Sequence, residues 1–328
     1  MAADPRSLFQ LAAGFMPAQA MNAVILLGIP DFLGDRSASA DEIGSALDAD
    51  ATAIERFLRF LAIHDLFAQD AQGRWRLTGF GRAMRSDVSN SMAARIRMLN
   101  AATYRGWAEA LHTLKTGRPG FERAFGDDFF AWLDDHPDEA AIFHAAMVDD
   151  PEQSDRIIDA LDLAGIASVT DIAGGNGHFL SRLIAKHPGI STRLVDMAEA
   201  IEAARAGRGG PLPGCDLVVG DFFQALPGGS DLYILQKILH DWPDEQAGRI
   251  LRTLRAAVAP GTRLAVIEVI VTPDRPDALL SDVYMLVQSG GCERTADQFA
   301  ALLADHGFRM TKAVETGTRL GIISAVAA

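Results

Sequence analysis

The stretch S-V-T-D-I-A-G-G-N-G-H-F-L-S-R-L-I-A-K-H-P-G-I-S-T-R-L-V-D, residues 168–196, decides the fold of this chain. It contains an apolar run, a cluster of glycines, an amphipathic helical pattern and a second apolar run that ends on Asp196. The glycines are Gly174, Gly175 and Gly177. This order predicts a strand, a tight turn, a helix and a second strand. Glycines let a ligand approach the backbone, and a carboxylate after the second strand can accept hydrogen bonds from ribose hydroxyls, so the stretch predicts a nucleotide site.

Two details of the turn bear on which nucleotide it binds. The G-x-G-x-x-G spacing of dinucleotide-binding turns is absent, because its last position is occupied by Leu180. Asp171, at the end of the first strand, places a negative charge where a dinucleotide would bring phosphate. A cationic ligand suits that position better, and S-adenosylmethionine carries an ammonium and a sulfonium. Dinucleotide enzymes, methyltransferases and plain tight turns all use such turns, and the turn alone leaves them open.

The composition excludes several classes of protein. With 328 residues, of which 49% are hydrophobic and 22% charged, the chain is long enough for two domains with buried cores. The net charge of −13 argues against a nucleic-acid partner. Cys215 and Cys292 are the only cysteines, so a disulfide framework is excluded and a reducing, cytoplasmic location is expected.

The chain carries no charge between Arg6 and Asp31, and part of this stretch resembles a signal peptide. That interpretation is rejected because positive charge before the apolar run is scarce and several residues interrupt any membrane-spanning run. The interrupting residues are Gln10, Pro17, Gln19 and Asn22. The stretch instead predicts a pair of buried or subunit-facing helices, and no membrane partner is expected.

Residues 1–100 are predicted to form a helical domain that ends in a β-hairpin. Two apolar helical stretches occupy residues 7–35, and two further helices begin near Ser39 and Asp50. A polar turn that ends at Gly73 joins two short apolar segments, an order that resembles a winged helix. Ten arginines against eleven acidic residues leave no basic excess for DNA. We therefore expect a winged-helix domain used for dimerisation.

Residues 101–164 are predicted to be helical, and their many aromatic side chains suit either a core or the wall of an aromatic ligand site. In residues 165–328, strands and helices alternate. The predicted strands are 168–173, 192–196, 216–219, 232–235, 263–270, 308–313 and 321–325. The predicted helices among them are 179–186, 197–206, 244–257 and 295–306. The alternation predicts an α/β domain with a seven-stranded, mostly parallel, Rossmann-like sheet, whose ligands lie beyond the carboxyl ends of the strands.

A candidate general base follows the fourth predicted strand. His240 lies in L-H-D-W-P-D-E (239–245), and imidazole is the side chain whose pKa is nearest neutrality. Glu268, at the end of the fifth strand, and Glu293, near the start of a helix, could orient it. A structural histidine and an ordinary helix-capping glutamate are the alternatives. Clustered His and Asp with metal-ligand spacing are absent from the sequence, so no metal is expected.

The third predicted strand ends in G-D-F-F (220–223). A carboxylate beside an aromatic ring suits adenine, because Asp221 could accept from the amino group while Phe222 packs on the base. A capping aspartate beside core phenylalanines explains the tetrapeptide equally well.

Together these motifs resemble the S-adenosylmethionine-dependent O-methyltransferases of the plant caffeate and bacterial hydroxyneurosporene type. The resemblance covers the whole chain and includes L-G-I-P-D-F-L (27–33) in the N-terminal half. It rests on D-I-A-G-G-N-G (171–177), L-V-D (194–196), G-D-F-F (220–223), L-H-D-W-P-D-E (239–245) and G-G-C-E-R-T (290–295). H-D-W followed by G-G-x-E-R-T is highly specific to this family. The resemblance implies a class I methyltransferase sheet and a homodimer whose N-terminal domain closes one side of the partner's substrate pocket.

The resemblance also implies roles for the cofactor-binding residues. The turn from Gly174 to Gly177 would hold the methionine part of S-adenosylmethionine, and Asp196 would bind the ribose hydroxyls. Asp221 and Phe222 would lie at the adenine.

For catalysis, the resemblance implies that His240 is the general base and that Glu268 and Glu293 orient it. The family often lines its acceptor pocket at the positions of Phe143, Met147, Asp282 and Met285. Two positions depart from the family pattern: Gln236 replaces a usual lysine, and Ala173 replaces a glycine that many members carry.

The sequence therefore predicts methyl transfer to a hydroxyl of a small aromatic, polyketide or polyene natural product, without a metal. One alternative is a relative that retains the cofactor but performs hydroxylation, decarboxylation or a pericyclic step, often after losing the base. Another is a non-enzymatic winged-helix regulator, which would require the basic recognition helix that is missing here.

Overall fold

The computed structural model describes residues 5–148 and 150–328, and they form two compact units. The first unit comprises the described residues up to Arg105 together with Leu133–Met147. The second comprises Gly106–Trp132 and Val148–Ala328. The middle region that the sequence analysis treated as one segment, residues 101–164, is thus divided between the two units.

The described residues before position 149 are mainly helical. Their elements are α1 (Pro5–Ala12), α2 (Phe15–Leu26), α3 (Ile29–Leu33), α4 (Ala40–Leu47), α5 (Ala51–Ala62), β1 (Phe67–Gln69), β2 (Trp75–Leu77), a 3₁₀ helix (Gly81–Met84), α6 (Ala93–Asn100), α7 (Ala102–Trp107), α8 (Ala110–Thr116), α9 (Gly120–Phe125), α10 (Phe129–Asp134) and α11 (Pro137–Met147).

The helix starts and the hairpin of the first unit form as the local sequence predicts. Ser39 accepts a hydrogen bond from the amide of Glu42 (3.2 Å), and the Glu42 carboxylate accepts one from the amide of Ser39 (2.8 Å), a reciprocal cap that starts α4. Asp50 caps α5 through the amide of Ala53 (2.7 Å). The strands β1 and β2 pair antiparallel, which confirms the predicted hairpin.

One apolar stretch, Ser7–Leu26, is long and apolar enough by length and composition to cross a membrane. A turn at residues 13 and 14 divides it into α1 and α2, each shorter than the ~20 residues that a spanning helix requires. Several of its large apolar side chains are exposed in this single chain, namely Leu8, Phe9, Leu11, Phe15, Met16 and Leu26.

The described residues after position 149 alternate between strands and helices. Their elements are α12 (Pro151–Ala160), β3 (Ser168–Ile172), α13 (His178–Lys186), β4 (Ser191–Asp196), α14 (Ala198–Arg205), β5 (Asp216–Val219), β6 (Leu232–Gln236), a 3₁₀ helix (Leu239–Asp241), α15 (Asp244–Ala257), β7 (Arg263–Glu268), α16 (Pro276–Gln288), α17 (Ala296–Asp305), β8 (Phe308–Glu315) and β9 (Gly321–Ala327).

Seven of these strands form one sheet in the order β5-β4-β3-β6-β7-β9-β8. The first five strands in this order run parallel, and β9 pairs antiparallel with both β7 and β8. The mostly parallel, seven-stranded sheet predicted from the alternation is therefore confirmed. Because β3, β4, β6 and β7 are parallel neighbours, their carboxyl ends lie along one edge of the sheet, which we call the carboxyl edge.

Helices cover both faces of the sheet because alternate strand residues point in opposite directions. Leu235 and Val266 pack with side chains of α15 and α17 on one face. Ile234 and Ile267 pack with side chains of α12, α13 and α14 on the other.

The sequence analysis missed one helix of this unit, α16. Its apolar residues surround the helix axis, and Leu279, Leu280 and Leu286 are exposed while Val287 is buried. A helix without a clear polar face shows little 3.6-residue periodicity, which was the signal used to predict helices.

The packing beneath the glycine turn provides a test of the fold. Leu194 on β4 is fully buried, so Leu194→Ala should lower the free energy of unfolding by ~2–5 kcal/mol through lost burial and a residual cavity. Val219 ends the edge strand β5 and is 55% exposed, so Val219→Ala should cost less than ~1 kcal/mol. Urea unfolding monitored by circular dichroism measures both, and equal losses would contradict this core assignment.

Candidate active site

The glycine turn between β3 and α13 has the conformation that its sequence predicts. Gly175 and Gly177 have φ of 62° and 79°, in the left-handed region that favours glycine. A Cβ atom at Gly174 would overlap the Asp171 carboxylate and lie 2.7 Å from Leu194 Cδ1. Ala173 also adopts a left-handed conformation, with φ of 57°. The backbone of this turn is thus uncovered by side chains of its own, as a closely approaching ligand requires.

Asp196 lies at the end of β4, beside the turn. Its Oδ2 accepts a hydrogen bond from the amide of Gly175, and its Oδ1 accepts one from the amide of Met197, both at 2.7 Å. Burial raises the pKa of Asp196 to about 6, and these two amides oppose the rise. Each oxygen retains a lone pair that could accept a hydroxyl donor.

Asp171 lies beneath the turn and is 1% exposed. Neither of its oxygens has a hydrogen-bond partner within the part of the chain that the structure describes. Burial and the charge of Asp196 raise the pKa of Asp171 to about 8. The carboxyl group lies under the backbone of Gly174, and the expectation that its charge acts on a ligand stays a prediction.

The geometry of the tetrapeptide after β5 is compatible with both interpretations of it, an adenine site and a capping aspartate beside core phenylalanines. Asp221 accepts hydrogen bonds from the amide of Phe223 (2.7 Å) and from Gln224 Nε2 (2.9 Å), so it caps the turn that follows. The ring of Phe222 is half-buried, with its centroid 4.8 Å from that of Phe223 and 6.3 Å from that of Trp242.

The structure brings the three predicted catalytic residues together at the carboxyl edge. His240 lies in the 3₁₀ helix that follows β6, and Glu268 ends the adjacent strand β7. The Nδ1 atom of His240 is 3.1 Å from Glu293 Oε1 and 3.5 Å from Glu268 Oε2. All three side chains are buried. Because a carboxylate can only accept, the imidazole must carry its proton on Nδ1 to bond Glu293.

Each glutamate is itself held in place. Glu268 Oε1 accepts hydrogen bonds from the amides of Ile238 (3.0 Å), Leu239 (2.9 Å) and His240 (3.4 Å), so it also caps the 3₁₀ helix. Glu293 Oε1 accepts a hydrogen bond from Ser281 Oγ at 2.6 Å. Sequence analysis missed Ser281, because a serine within a helix carries no local sign of a distant partner.

The imidazole is surrounded by negative charge. Burial alone would lower the pKa of His240, but Glu268, Asp241 and Glu293 outweigh it and raise that pKa to about 10. Asp241 Oδ1 is 3.6 Å from His240 Nε2, and burial raises the pKa of Asp241 to about 6. Burial also raises the pKa of Glu268 to about 7, against the charge of His240. Asp241, which was not among the predicted site residues, thus belongs to the cluster.

The same cluster has the geometry of a metal site. Ligand atoms of His240, Glu268 and Glu293 lie within 4.8 Å of one another. The sequence analysis found no such cluster because these residues are far apart in the chain. However, three amides already bond Glu268 Oε1, and Glu293 Oε1 is shared by Ser281 and His240.

The predicted acceptor-pocket residues belong to different units. Phe143 and Met147 lie on α11 in the first unit, and Asp282 and Met285 lie on α16 in the second. Asp282 Oδ1 accepts a hydrogen bond from the amide of Glu293 at 2.9 Å, so this residue supports the cluster of His240, Glu268 and Glu293.

Comparison with known proteins identifies the class to which this fold and site belong. Residues 107–309 match the family model of an O-methyltransferase domain, and residues 9–87 match that of an O-methyltransferase dimerisation domain. The chain therefore belongs to the O-methyltransferase family with an N-terminal dimerisation domain, as the sequence resemblance predicted. It is an S-adenosylmethionine-dependent O-methyltransferase.

Individual relatives cover nearly the whole chain. The O-demethylpuromycin-O-methyltransferase of Streptomyces alboniger is 34% identical over 93% of this chain and 84% of its own length. The crystal structure of LaPhzM has a TM-score of 0.94 at 31% identity and covers 99% of this chain and 100% of its own. NcsB1, an O-methyltransferase from neocarzinostatin biosynthesis crystallised with S-adenosylmethionine and 2-hydroxy-5-methyl naphthoic acid, has a TM-score of 0.80 at 31% identity, with coverage of 95% and 96%.

The loop that carries Glu293 approaches the His240 backbone closely. The amide of Cys292 donates to the carbonyl oxygen of His240 at 2.9 Å. A Cβ atom at Gly291 would overlap that oxygen and lie 2.6 Å from the carbonyl carbon of Asp241. Only glycine permits this approach.

The substitution Gly291→Ala tests the close contact between Gly291 and the backbone of His240. The added methyl group must displace the His240 peptide, so we expect a loss of ~1–3 kcal/mol in the free energy of unfolding together with reduced activity. Gly189→Ala is the matched control, because a Cβ atom there meets nothing within 4 Å and its φ is ordinary. Urea unfolding and a methyl-transfer assay measure the two effects, and a Gly291 variant that behaves like the Gly189 variant would refute the assignment.

Proposed function

We propose that this enzyme methylates a hydroxyl group of a small aromatic, polyketide or polyene natural product, with His240 as the general base. The observation that carries the proposal is the buried imidazole at the carboxyl edge, whose Nδ1 lies 3.1 Å from Glu293 Oε1. One relative is named for O-demethylpuromycin, and another is crystallised with 2-hydroxy-5-methyl naphthoic acid, and both support an aromatic acceptor.

The cofactor supplies a methyl group bonded to a positively charged sulfur. We propose that the turn from Gly174 to Gly177 binds its methionine part, because Gly175 has a left-handed φ and a Cβ atom built on it would meet nothing within 4 Å, so the space beside its backbone is open. Asp196 would accept from the ribose hydroxyls with the lone pairs that Gly175 and Met197 leave available. Asp221 and Phe222 would bind the adenine. Asp171 would act on the cationic groups of the cofactor from beneath the turn, through its buried carboxyl group.

Proton transfer follows from the tautomer of His240. With the Nδ1 proton donated to Glu293, the Nε2 lone pair is available to the acceptor hydroxyl. When bound, S-adenosylmethionine would supply its methyl group to that oxygen and leave as S-adenosylhomocysteine, and His240 Nε2 would take the hydroxyl proton. The resulting imidazolium is stabilised by Glu268, Asp241 and Glu293, and its proton then leaves to solvent.

The raised pKa of His240 matches the proposed substrate class. A phenolic hydroxyl has a pKa near ~10, and a base of similar strength accepts its proton without a large energetic penalty. The same property means that the imidazole of the free enzyme is mostly protonated at neutral pH, since its pKa is raised to about 10. Activity should therefore increase as the pH rises above neutrality.

Two further features are part of the proposal. No metal is required, because one oxygen of each glutamate is already engaged by protein donors, Glu268 Oε1 by backbone amides and Glu293 Oε1 by Ser281. The cofactor-retaining alternative with non-methylating chemistry is disfavoured, because the base and both glutamates are present and assembled.

We also propose that the enzyme is a homodimer joined by its N-terminal unit. The matched dimerisation domain and the exposed apolar side chains of α1 and α2, such as Phe9 and Leu11, support subunit contact. Phe143, Met147, Asp282 and Met285 remain the candidates for contact with the acceptor, as the family resemblance implies.

The cofactor assignment is tested by calorimetric titration with S-adenosylmethionine and S-adenosylhomocysteine. Asp196→Ala should weaken both affinities about 10-fold or more, because paired hydrogen bonds to a carboxylate are lost. Asp216→Ala is the control, since Asp216 carries a carboxylate at the opposite end of the neighbouring strand β5. Unchanged affinity in the Asp196 variant would remove the ribose assignment.

The base is tested with a panel of phenols, hydroxynaphthoates and hydroxyphenazines, in which mass spectrometry detects one added methyl group. His240→Gln should reduce kcat by ~10²–10⁴-fold while cofactor affinity is retained. For the wild type, kcat/KM should increase about 10-fold per pH unit between about pH 7 and 9. Glu293→Gln should shift this rise to lower pH, since removal of a carboxylate lowers the pKa of His240.

His187→Gln, on the loop after α13, is the control for the histidine change. An active His240 variant would disprove the proposed base. A pH profile that is identical in the wild type and the Glu293 variant would reflect ionisation of the acceptor instead. The same assays in EDTA test the metal-free mechanism, and activity lost to EDTA and restored by Mg²⁺ would contradict it.

A further inference from the structure

Arg294 is a buried cation next to the cluster of His240, Glu268 and Glu293. The side chain is 2% exposed. Its Nη1 donates to the carbonyl oxygen of Leu239, and its Nη2 donates to that of Trp242, both at 2.9 Å. These two carbonyls stand on either side of His240 and Asp241, so the guanidinium holds the 3₁₀ helix from both ends.

The remaining donors of Arg294 are also used. Nε and Nη2 donate to Asp244 Oδ1 at 2.9 and 2.8 Å, and Nη1 is 3.4 Å from the carbonyl oxygen of Cys292. Only a planar guanidinium presents five N–H groups in a fixed fork that can reach all of these acceptors, and a lysine ammonium has three donors on one atom.

The backbone of Arg294 is anchored just beyond the end of β7, the strand that carries Glu268. Arg294 forms a parallel bridge with Ile270, and its carbonyl oxygen accepts a hydrogen bond from the amide of Val271 at 3.0 Å. One residue thus joins the end of β7, the 3₁₀ helix and the start of α15, where Asp244 lies.

We propose that Arg294, held by Asp244, is a positioning residue that sets the orientation of the His240 imidazole toward Glu293 and the acceptor hydroxyl. This inference rests on the proposed function of His240. Arg294 makes no contact with His240 Nδ1 or Nε2 among the interactions of the described residues, so it acts through the backbone at Leu239 and Trp242. The amide of Cys292 and the Glu293 carboxylate complete the support, and residues 292–294 together hold residues 239–242.

The orientation matters because a base must meet the acceptor proton within hydrogen-bond reach. A displacement of ~1 Å at the reacting groups can cost ~100-fold in rate. A purely structural arginine would instead change stability without changing the rate per folded molecule or its pH dependence.

The test compares Arg294→Lys with Arg263→Lys. Arg263 begins β7 at the opposite edge of the sheet, and its Nη1 likewise donates to a backbone carbonyl, that of Ala164, at 2.9 Å. We expect Arg294→Lys to reduce kcat ~100-fold, to leave the affinity for S-adenosylhomocysteine within about 3-fold of wild type, and to shift the pH profile of kcat/KM. Arg263→Lys should lower the thermal midpoint without changing kcat or the profile.

Asp244→Asn is the second variant, because it keeps Arg294 and removes only the carboxylate that fixes it. It should fold and show a smaller loss of kcat, about 3- to 10-fold, in the same direction. Wild-type kcat and an unchanged pH profile in both variants would overturn the positioning role while leaving His240 as the base, if His240→Gln is inactive. Full activity of His240→Gln would instead remove the proposed function itself.

Discussion

The second unit depends on one constraint: the charge of a buried imidazole must be compensated by the charges of buried carboxylates. His240, which is only 8% exposed, is accommodated because Glu293 accepts from its Nδ1 and Glu268 lies 3.5 Å from the same atom. Each ion alone would be costly to bury, and breaking such a cluster leaves an uncompensated charge. The parallel pairing of β6 with β7 satisfies this constraint, since it brings the loop after one strand to the glutamate that ends the other.

At the carboxyl edge, the turns that follow the neighbouring strands β3 and β6 both begin with a residue in a left-handed conformation. β3 is followed by Ala173 and β6 by Lys237, and both residues have left-handed φ values, 57° and 56°. Such a conformation costs a residue other than glycine ~1–2 kcal/mol, so the surrounding packing must impose it. At β3 the chain turns into the glycine segment beside Asp196, and at β6 it turns into the 3₁₀ helix that presents His240. The turns after the two central strands thus lead to the glycine segment with Asp196 on one side and to the cluster of His240, Glu268 and Glu293 on the other.

Much of this arrangement could be predicted because the signals are local. The strands of the sheet and the helix Asp244–Ala257 follow from period and turn residues, and the hairpin β1–β2 follows from its polar turn. The helix α16 was missed because its exposed leucines remove the polar face that periodicity requires. Ser281, Asp241 and Arg294 were missed for another reason. Ser281 and Arg294 bond to residues that are 12 or more positions away in the chain. Asp241 is adjacent to His240, but no local pattern reveals that its side chain points toward the imidazole.

The sequence by itself determined the alternation of strands and helices, the glycine turn with Asp196, and the candidacy of His240, Glu268 and Glu293. These follow from hydrophobic period, backbone freedom and side-chain chemistry, all of which are properties of neighbouring residues. Only the tertiary structure decided that Asp171 lies beneath the glycine turn and that three carboxylates surround the His240 imidazole. It also decided that Arg294 holds the 3₁₀ helix that carries His240. Burial and charge balance depend on which segments the parallel sheet brings together, and residues 28 or 53 positions apart in the chain meet only when that sheet has formed.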